Sequence, residues 1–188
     1  MKRNKFIATL LASVASFQTV LAGSRKFFTR NDKGFKISAG EGRLHGHIRL
    51  KGVNSNVLDV KVSGTDTDGD LAIFEQTSLS PGRGTPLHIH HSQDEIFYVL
   101  EGNYYFQVGD QQFELKTGDS IFLPRKVAHA WTQVSPTGKM TVIVQPAGKL
   151  EDFFVTVAGL DHEPSQEEMT KLNSCPFSAC NGCRSSDK

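Results

Sequence analysis

Gly82-Arg83-Gly84-Thr85-Pro86-Leu87-His88-Ile89-His90-His91-Ser92-Gln93-Asp94-Glu95-Ile96-Phe97-Tyr98-Val99-Leu100-Glu101-Gly102 is the most informative run in the chain, and it reads as two short strands joined by a polar turn. Residues two apart on a strand project from one face. A strand over 87–90 therefore sets His88 beside His90, while His91 faces away. A second strand over 95–100 places Glu95, Phe97 and Val99 on one face, and the turn His91-Ser92-Gln93-Asp94 is short enough to return Glu95 toward the histidine pair. His129 lies on a later strand candidate with Trp131 on its own face.

Three neutral imidazoles and one carboxylate, His88, His90, His129 and Glu95, form the donor set of a divalent transition metal with one or two positions left open for a substrate. The ligand types suit manganese, iron, nickel, copper or zinc alike. Each histidine alone would read as a hydrogen-bonded polar residue. The metal reading comes from their joint spacing and facing.

Period-two alternation extends on both sides of this run. Leu58, Val60 and Val62 share a face, and further strand candidates fall at 71–79, 104–108, 112–115, 120–123, 129–134 and 140–145. Glu101-Gly102-Asn103, Gly109-Asp110, Thr117-Gly118-Asp119 and Ser135-Pro136-Thr137-Gly138 supply turn chemistry between them. Short strands with turns this frequent indicate an all-β antiparallel sandwich or barrel. Leu150, Phe153, Phe154 and Val157 then switch to the stripe of an amphipathic helix that caps it, and Ser165 with Glu168 fits the capping box of a second short helix.

The chain has 188 residues, 21 Lys and Arg against 20 Asp and Glu, a net charge of +1, and 38% hydrophobic residues. That is globular composition with no basic surplus for a nucleic-acid partner. Lys2, Arg3 and Lys5 precede an uncharged run from Phe6 to Ala22, so residues 1–22 read as an export signal cleaved after Val20-Leu21-Ala22. The run is interrupted by Thr9, Ser13, Ser16, Gln18 and Thr19 and does not reach the apolar length of a transmembrane anchor. Cleavage leaves 18 basic and 20 acidic side chains, a slightly acidic protein for the periplasm or the extracellular space.

The histidine stretch resembles the cupin family. Gly82, five residues, His88-Ile89-His90, four residues, Glu95, six residues and Gly102 match its first motif, and Gly118, five residues, Pro124 and then His129 match its second. Lys126 stands where the second motif usually has Gly, and Gln133 where it often has Asn. The resemblance implies a small jelly-roll barrel over 35–160 with a metal on His88, His90, Glu95 and His129, followed over 161–188 by a short helix and a cysteine-bearing polar tail. It also implies pairing of two copies into a homodimer through an edge strand. Within cupins, the text from Leu79 to His88, Asp94 to Gly102 and the Phe153-Phe154 helix looks like the quercetin 2,3-dioxygenase branch.

By alternation Phe97, Val99, Tyr104, Phe106 and Trp131 share the ligands' face, with Gln133 as polar lining. They read either as barrel core or as the wall of a substrate pocket for a flat, hydrophobic small molecule. In the pocket reading the metal raises the acidity of an enediol or flavonol-like substrate, Glu95 accepts the proton, and dioxygen is the co-substrate. Two other readings stand beside it. One is a cupin isomerase or decarboxylase of a small acid or sugar, which calls for inward Arg or Lys. The other is a non-enzymatic metal- or ligand-binding protein of the cell envelope.

The remaining features read as structural. His45-Gly46-His47 repeats the two-apart spacing without a nearby carboxylate and suits a surface strand. Asp66, Asp68 and Asp70 lie in a turn whose spacing does not fit a calcium loop, and His162 lies in a polar turn. Cys175, Cys180 and Cys183 imply one disulfide and one thiol in an exported chain, in any of three pairings.

Overall fold

The computed structural model describes residues 30–51 and 55–174; the export signal and the three cysteines lie outside these residues. Within them, alternating apolar residues build ten strands, β1 (His47–Arg49), β2 (Val57–Val62), β3 (Ala72–Ser78), β4 (Gly84–His88), β5 (Asp94–Glu101), β6 (Asn103–Val108), β7 (Gln111–Lys116), β8 (Ser120–Leu123), β9 (His129–Gln133) and β10 (Gly138–Gln145). They pair antiparallel into a six-stranded sheet, β1-β2-β3-β10-β5-β8, and a four-stranded sheet, β4-β9-β6-β7. The result is the all-β antiparallel sandwich expected from the alternation, in the jelly-roll form that the cupin resemblance implies.

Register sorts the inward side chains into layers. Glu95 pairs across with Val144 and Leu123, and His129 with His88 and Val108. One layer further in, Phe97 meets Val142 and Ile121, Phe106 meets Trp131, and Phe74 meets Val142. Val99, Met140, Gln76, Tyr104 and Gln133 form the next. Most of these side chains are buried, and each large apolar one contributes about 1.5–3 kcal/mol on burial.

The six-stranded sheet is wider than its partner, and helix α1 (Leu150–Gly159) covers apolar surface at β3 and β1. Its predicted stripe does this: Leu150 and Val157 are buried, and the Phe154 ring meets Phe74 edge-on at 5.5 Å. Glu151 in its first turn accepts hydrogen bonds from Ser63 Oγ at 2.7 Å and Gly64 N at 3.3 Å. Helix α2 (Gln166–Ser174) starts where Ser165 Oγ accepts the Glu168 N–H at 3.2 Å. Neither is long and apolar enough to cross a membrane.

Two local expectations need correction. The strand expected over 87–90 spans Gly84–His88, because β4 pairs only with β9 and leaves that ladder after a bulge between Thr85 and His88. Its start requires glycine: a Cβ at Gly84 would stand 1.8 Å from the Trp131 carbonyl oxygen. His45 and Gly46 form a left-handed turn, with φ of 63° and 60°, and only His47 enters β1. Both histidines also have the carboxylate partners that sequence distance concealed. His47 Nδ1 lies 2.7 Å from Asp59 Oδ1, and His45 Nε2 lies 3.1 Å from Glu151 Oε1. The 63–70 segment, expected as a turn, contains a short 3-10 helix over Gly64–Thr67, with Asp66 accepting the Ser63 N–H and pairing with Arg43.

Candidate metal centre

Four elements deliver four donors to one point. His88 ends β4 opposite His129, the first residue of β9. His90 follows two residues later, its carbonyl held by the Lys126 N–H at 2.8 Å. Glu95, second in β5, enters from the facing sheet. The Nε2 atoms of His88 and His90 are 3.2 Å apart, Glu95 Oε1 lies 3.4 Å from His90 Nε2, and Glu95 Oε2 lies 3.3 Å from His129 Nε2. One donor atom from each residue fits within a 4.8 Å span. His90, Glu95 and His129 are buried and His88 is half-buried, so the cluster approaches solvent on the His88 side.

The protonation pattern suits a cation. His88 Nδ1 donates to the Pro86 carbonyl at 2.9 Å and His129 Nδ1 donates to the Val127 carbonyl at 3.0 Å. A carbonyl only accepts, so both protons sit on Nδ1 and both Nε2 atoms present lone pairs to the cluster. Burial, followed by the neighbouring His129, lowers the His88 pKa; burial also lowers that of His90. Burial alone would raise the Glu95 carboxyl, but when acid protonates the neighbouring rings, a hydrogen bond from His129 and the positive charges of His90, His129 and His88 hold it below its usual value. Neutral imidazoles therefore face an ionised carboxylate. Buried His129 Nε2 has no hydrogen-bond partner, and with its lone pair turned on a carboxylate oxygen, two acceptors confront each other. A divalent cation between them removes that conflict, so the donor set fits a metal.

The other singled-out side chains occupy different depths. Phe97, Phe106 and Trp131 lie one layer below the donors, with Phe97–Phe106 centroids 5.3 Å apart and Phe106–Trp131 centroids 6.5 Å apart. Val99, Tyr104 and Gln133 lie a layer deeper. Tyr104 donates to Ser78 Oγ at 2.9 Å. Gln133 accepts from Ser80 N at 3.0 Å and donates to the carbonyls of Ser135 and Pro136 at 2.8 and 3.2 Å, so its amide ties two connections together. The apolar residues level with the donors are Val108, Leu123 and Val144, which the sequence reading did not single out. Alternation already carried Val108 beyond Tyr104 and Phe106, whereas Leu123 and Val144 needed the strand register. Among the described residues no Lys or Arg is buried.

A family model described as "Cupin domain" matches residues 75–145. An uncharacterised protein of Methanocaldococcus jannaschii is 42% identical over 48 residues, covering 26% of this chain and 38% of that protein. Quercetin 2,3-dioxygenase of Bacillus subtilis is 29% identical over 92 residues, covering 49% of this chain and 27% of the enzyme. The chain thus spans 27 to 53% of the length of the curated relatives it matches. Among solved structures, a predicted oxalate decarboxylase of Thermotoga maritima superposes with a TM-score of 0.53 at 17% identity, covering 60% of this chain and 99% of that one. At that identity the likeness is one of fold.

Proposed function

The chain belongs to the cupin superfamily, and from that premise we propose that it is an exported, metal-dependent dioxygenase acting on an enediol or flavonol-like aromatic substrate. The observation that carries the reading is the convergence of His88, His90, Glu95 and His129, with an unpartnered buried Nε2, inside an apolar barrel. These four residues would hold one divalent ion of manganese, iron, nickel, copper or zinc. That ion supplies Lewis acidity toward a substrate hydroxyl and, for a redox metal, a route to dioxygen.

The chain's own residues supply the rest. Glu95, kept ionised among the histidines, accepts the substrate hydroxyl proton on a carboxylate oxygen. Nδ1 protons held by Pro86 and Val127 fix the orientation of His88 and His129, so these rings need no rearrangement to present their lone pairs. Val108, Leu123 and Val144 beside the donors, with Phe97, Phe106 and Trp131 below, exclude water and favour a flat apolar ligand. Among the described residues no Lys or Arg is buried, so the isomerase or decarboxylase reading, which calls for inward cationic side chains, draws no support from the barrel interior. The exported location rests on residues 1–22.

The test loads the full chain with each candidate metal and follows oxygen consumption with a flavonol and with an aromatic enediol. Turnover with a redox metal, lost in His129→Ala, is the expected result. A chain that binds the metals stoichiometrically yet consumes no oxygen with either substrate overturns the dioxygenase reading and leaves a metal-binding protein. Mass analysis of exported material should find an N-terminus at Gly23; retention of residues 1–22 would refute cleavage.

A further inference from the structure

Three consecutive residues of the β8–β9 connection bond two of the four donor residues, His90 and His129, and the immediate neighbour of a third, Asp94 beside Glu95. We propose that Arg125 is a positioning residue for the metal centre, clamping Asp94 so that Glu95 stays at the separation from His90 and His129 that a shared ion requires. The inference rests on reading the His/Glu cluster as a metal site.

Arg125 directs several hydrogen bonds to one carboxylate. Its backbone N–H donates to Asp94 Oδ1 at 2.8 Å, Nε lies 3.1 and 3.0 Å from the two carboxylate oxygens, and Nη2 lies 2.5 Å from Oδ2. Nη2 also lies 3.5 Å from the carbonyl of Gln145, the residue paired with Asp94 across β5 and β10. Asp94 is the residue before Glu95, and successive side chains on a strand point to opposite faces. The clamp therefore grips the outside of β5 at its first residue and acts on Glu95 through the backbone. The next loop residue, Lys126, donates its N–H to the His90 carbonyl, and the one after, Val127, accepts the His129 Nδ1 proton. Moving the loop moves His90, Glu95 and His129 relative to one another.

The side chains of the pair are 42% and 24% exposed, and exposed ion pairs contribute little to folding. Its effect should accordingly appear in metal affinity more than in stability. Arg30–Asp70, at 63% and 66% exposed and remote in sequence from every donor, is the matched control.

Cobalt(II) is the probe, titrated into the full metal-free chain and read from its visible ligand-field bands. Arg125→Ala is expected to weaken cobalt binding about 10-fold, the lower end for residues that orient metal ligands, and to change the band pattern. Arg125→Lys, which keeps the charge but not the fork, should fall between. Asp94→Asn should weaken binding as well, and the double variant no further than Arg125→Ala. Should Arg125→Ala fail to fold, Asp94→Asn carries the test. Unchanged affinity and bands in the clamp variants overturn the proposal, as does an equal loss in Arg30→Ala. Failure of the unaltered chain to bind cobalt overturns the metal reading itself, a result distinct from either.

Discussion

Replacing Lys126 by glycine should stabilise this protein, and the reason lies in one backbone angle. Lys126 has φ of +66°, in the left-handed region, with its side chain exposed. A side chain there costs about 1–2 kcal/mol through crowding of Cβ against the carbonyl. Glycine removes that cost but gives up about 0.5–1 kcal/mol through its larger freedom in the unfolded chain. The net gain is centred on about 0.75 kcal/mol within a span of about 0–1.5, and the central value raises Tm by about 1.5–3 °C for a chain of this size. Lys126→Val, placing a β-branched side chain at the same angle, should instead lose at least about 1 kcal/mol. The assay is reversible thermal or urea unfolding of the metal-free full chain. Cobalt affinity provides the second readout: the Lys126 N–H that holds His90 O at 2.8 Å survives in Lys126→Gly, so affinity should not fall. A Lys126→Gly protein with unchanged or lower Tm, or one as unstable as Lys126→Val, would refute the account of this turn.

Three further outcomes follow from the same geometry. Because His88 and His90 are lowered from 6.5 and Glu95 from 4.5, the unfolded chain binds these protons first; metal-free stability should hold above pH 6.5 and decline as acid titrates through the lowered values. A stability profile that rises on acidification from pH 6.5 would contradict this. Gly84→Ala drives a Cβ to 1.8 Å from Trp131 O, where only backbone can yield, so it should cost about 1–3 kcal/mol and weaken cobalt binding by parting His88 from His129; unchanged unfolding would count against the β4–β9 register. Burial pushes the Tyr104 hydroxyl up to about 12, so one of three tyrosines should ionise late in an ultraviolet titration. Stability should fall between pH 10 and 12 because the unfolded tyrosine ionises first, and Tyr104→Phe should abolish that fall.

Period-two alternation made the all-β class and the facing of His88, His90, Glu95 and His129 legible, while a helical stripe and a capping box did so for the two helices. Period two is local, set by each residue's neighbours, so Glu95-Phe97-Val99 and His129-Trp131-Gln133 carry their faces within five residues. Boundaries were less legible. β4 begins at Gly84 and releases the chain after His88 because of what β9 offers across the ladder, and nothing within 87–90 encodes that partner. The left-handed turn at His45-Gly46 and the pairing of His47 with Asp59 likewise depend on which strand lies beside β1.

Depth within the barrel belongs to the same class of non-local fact. Alternation assigns Phe97, Tyr104, Trp131 and Gln133 to one interior, but register separates the layer beside the donors from the layer where Tyr104 and Gln133 hold loops and strands together. The Arg125–Asp94 clamp spans 31 residues and shows no spacing signature at all. Local sequence chose the donor atoms and the faces they occupy, because those follow from covalent geometry and side-chain chemistry. Their 4.8 Å convergence, the opposed lone pair and carboxylate, and the apolar residues at their level arise when two sheets close on each other, since only then do separate strands share a depth.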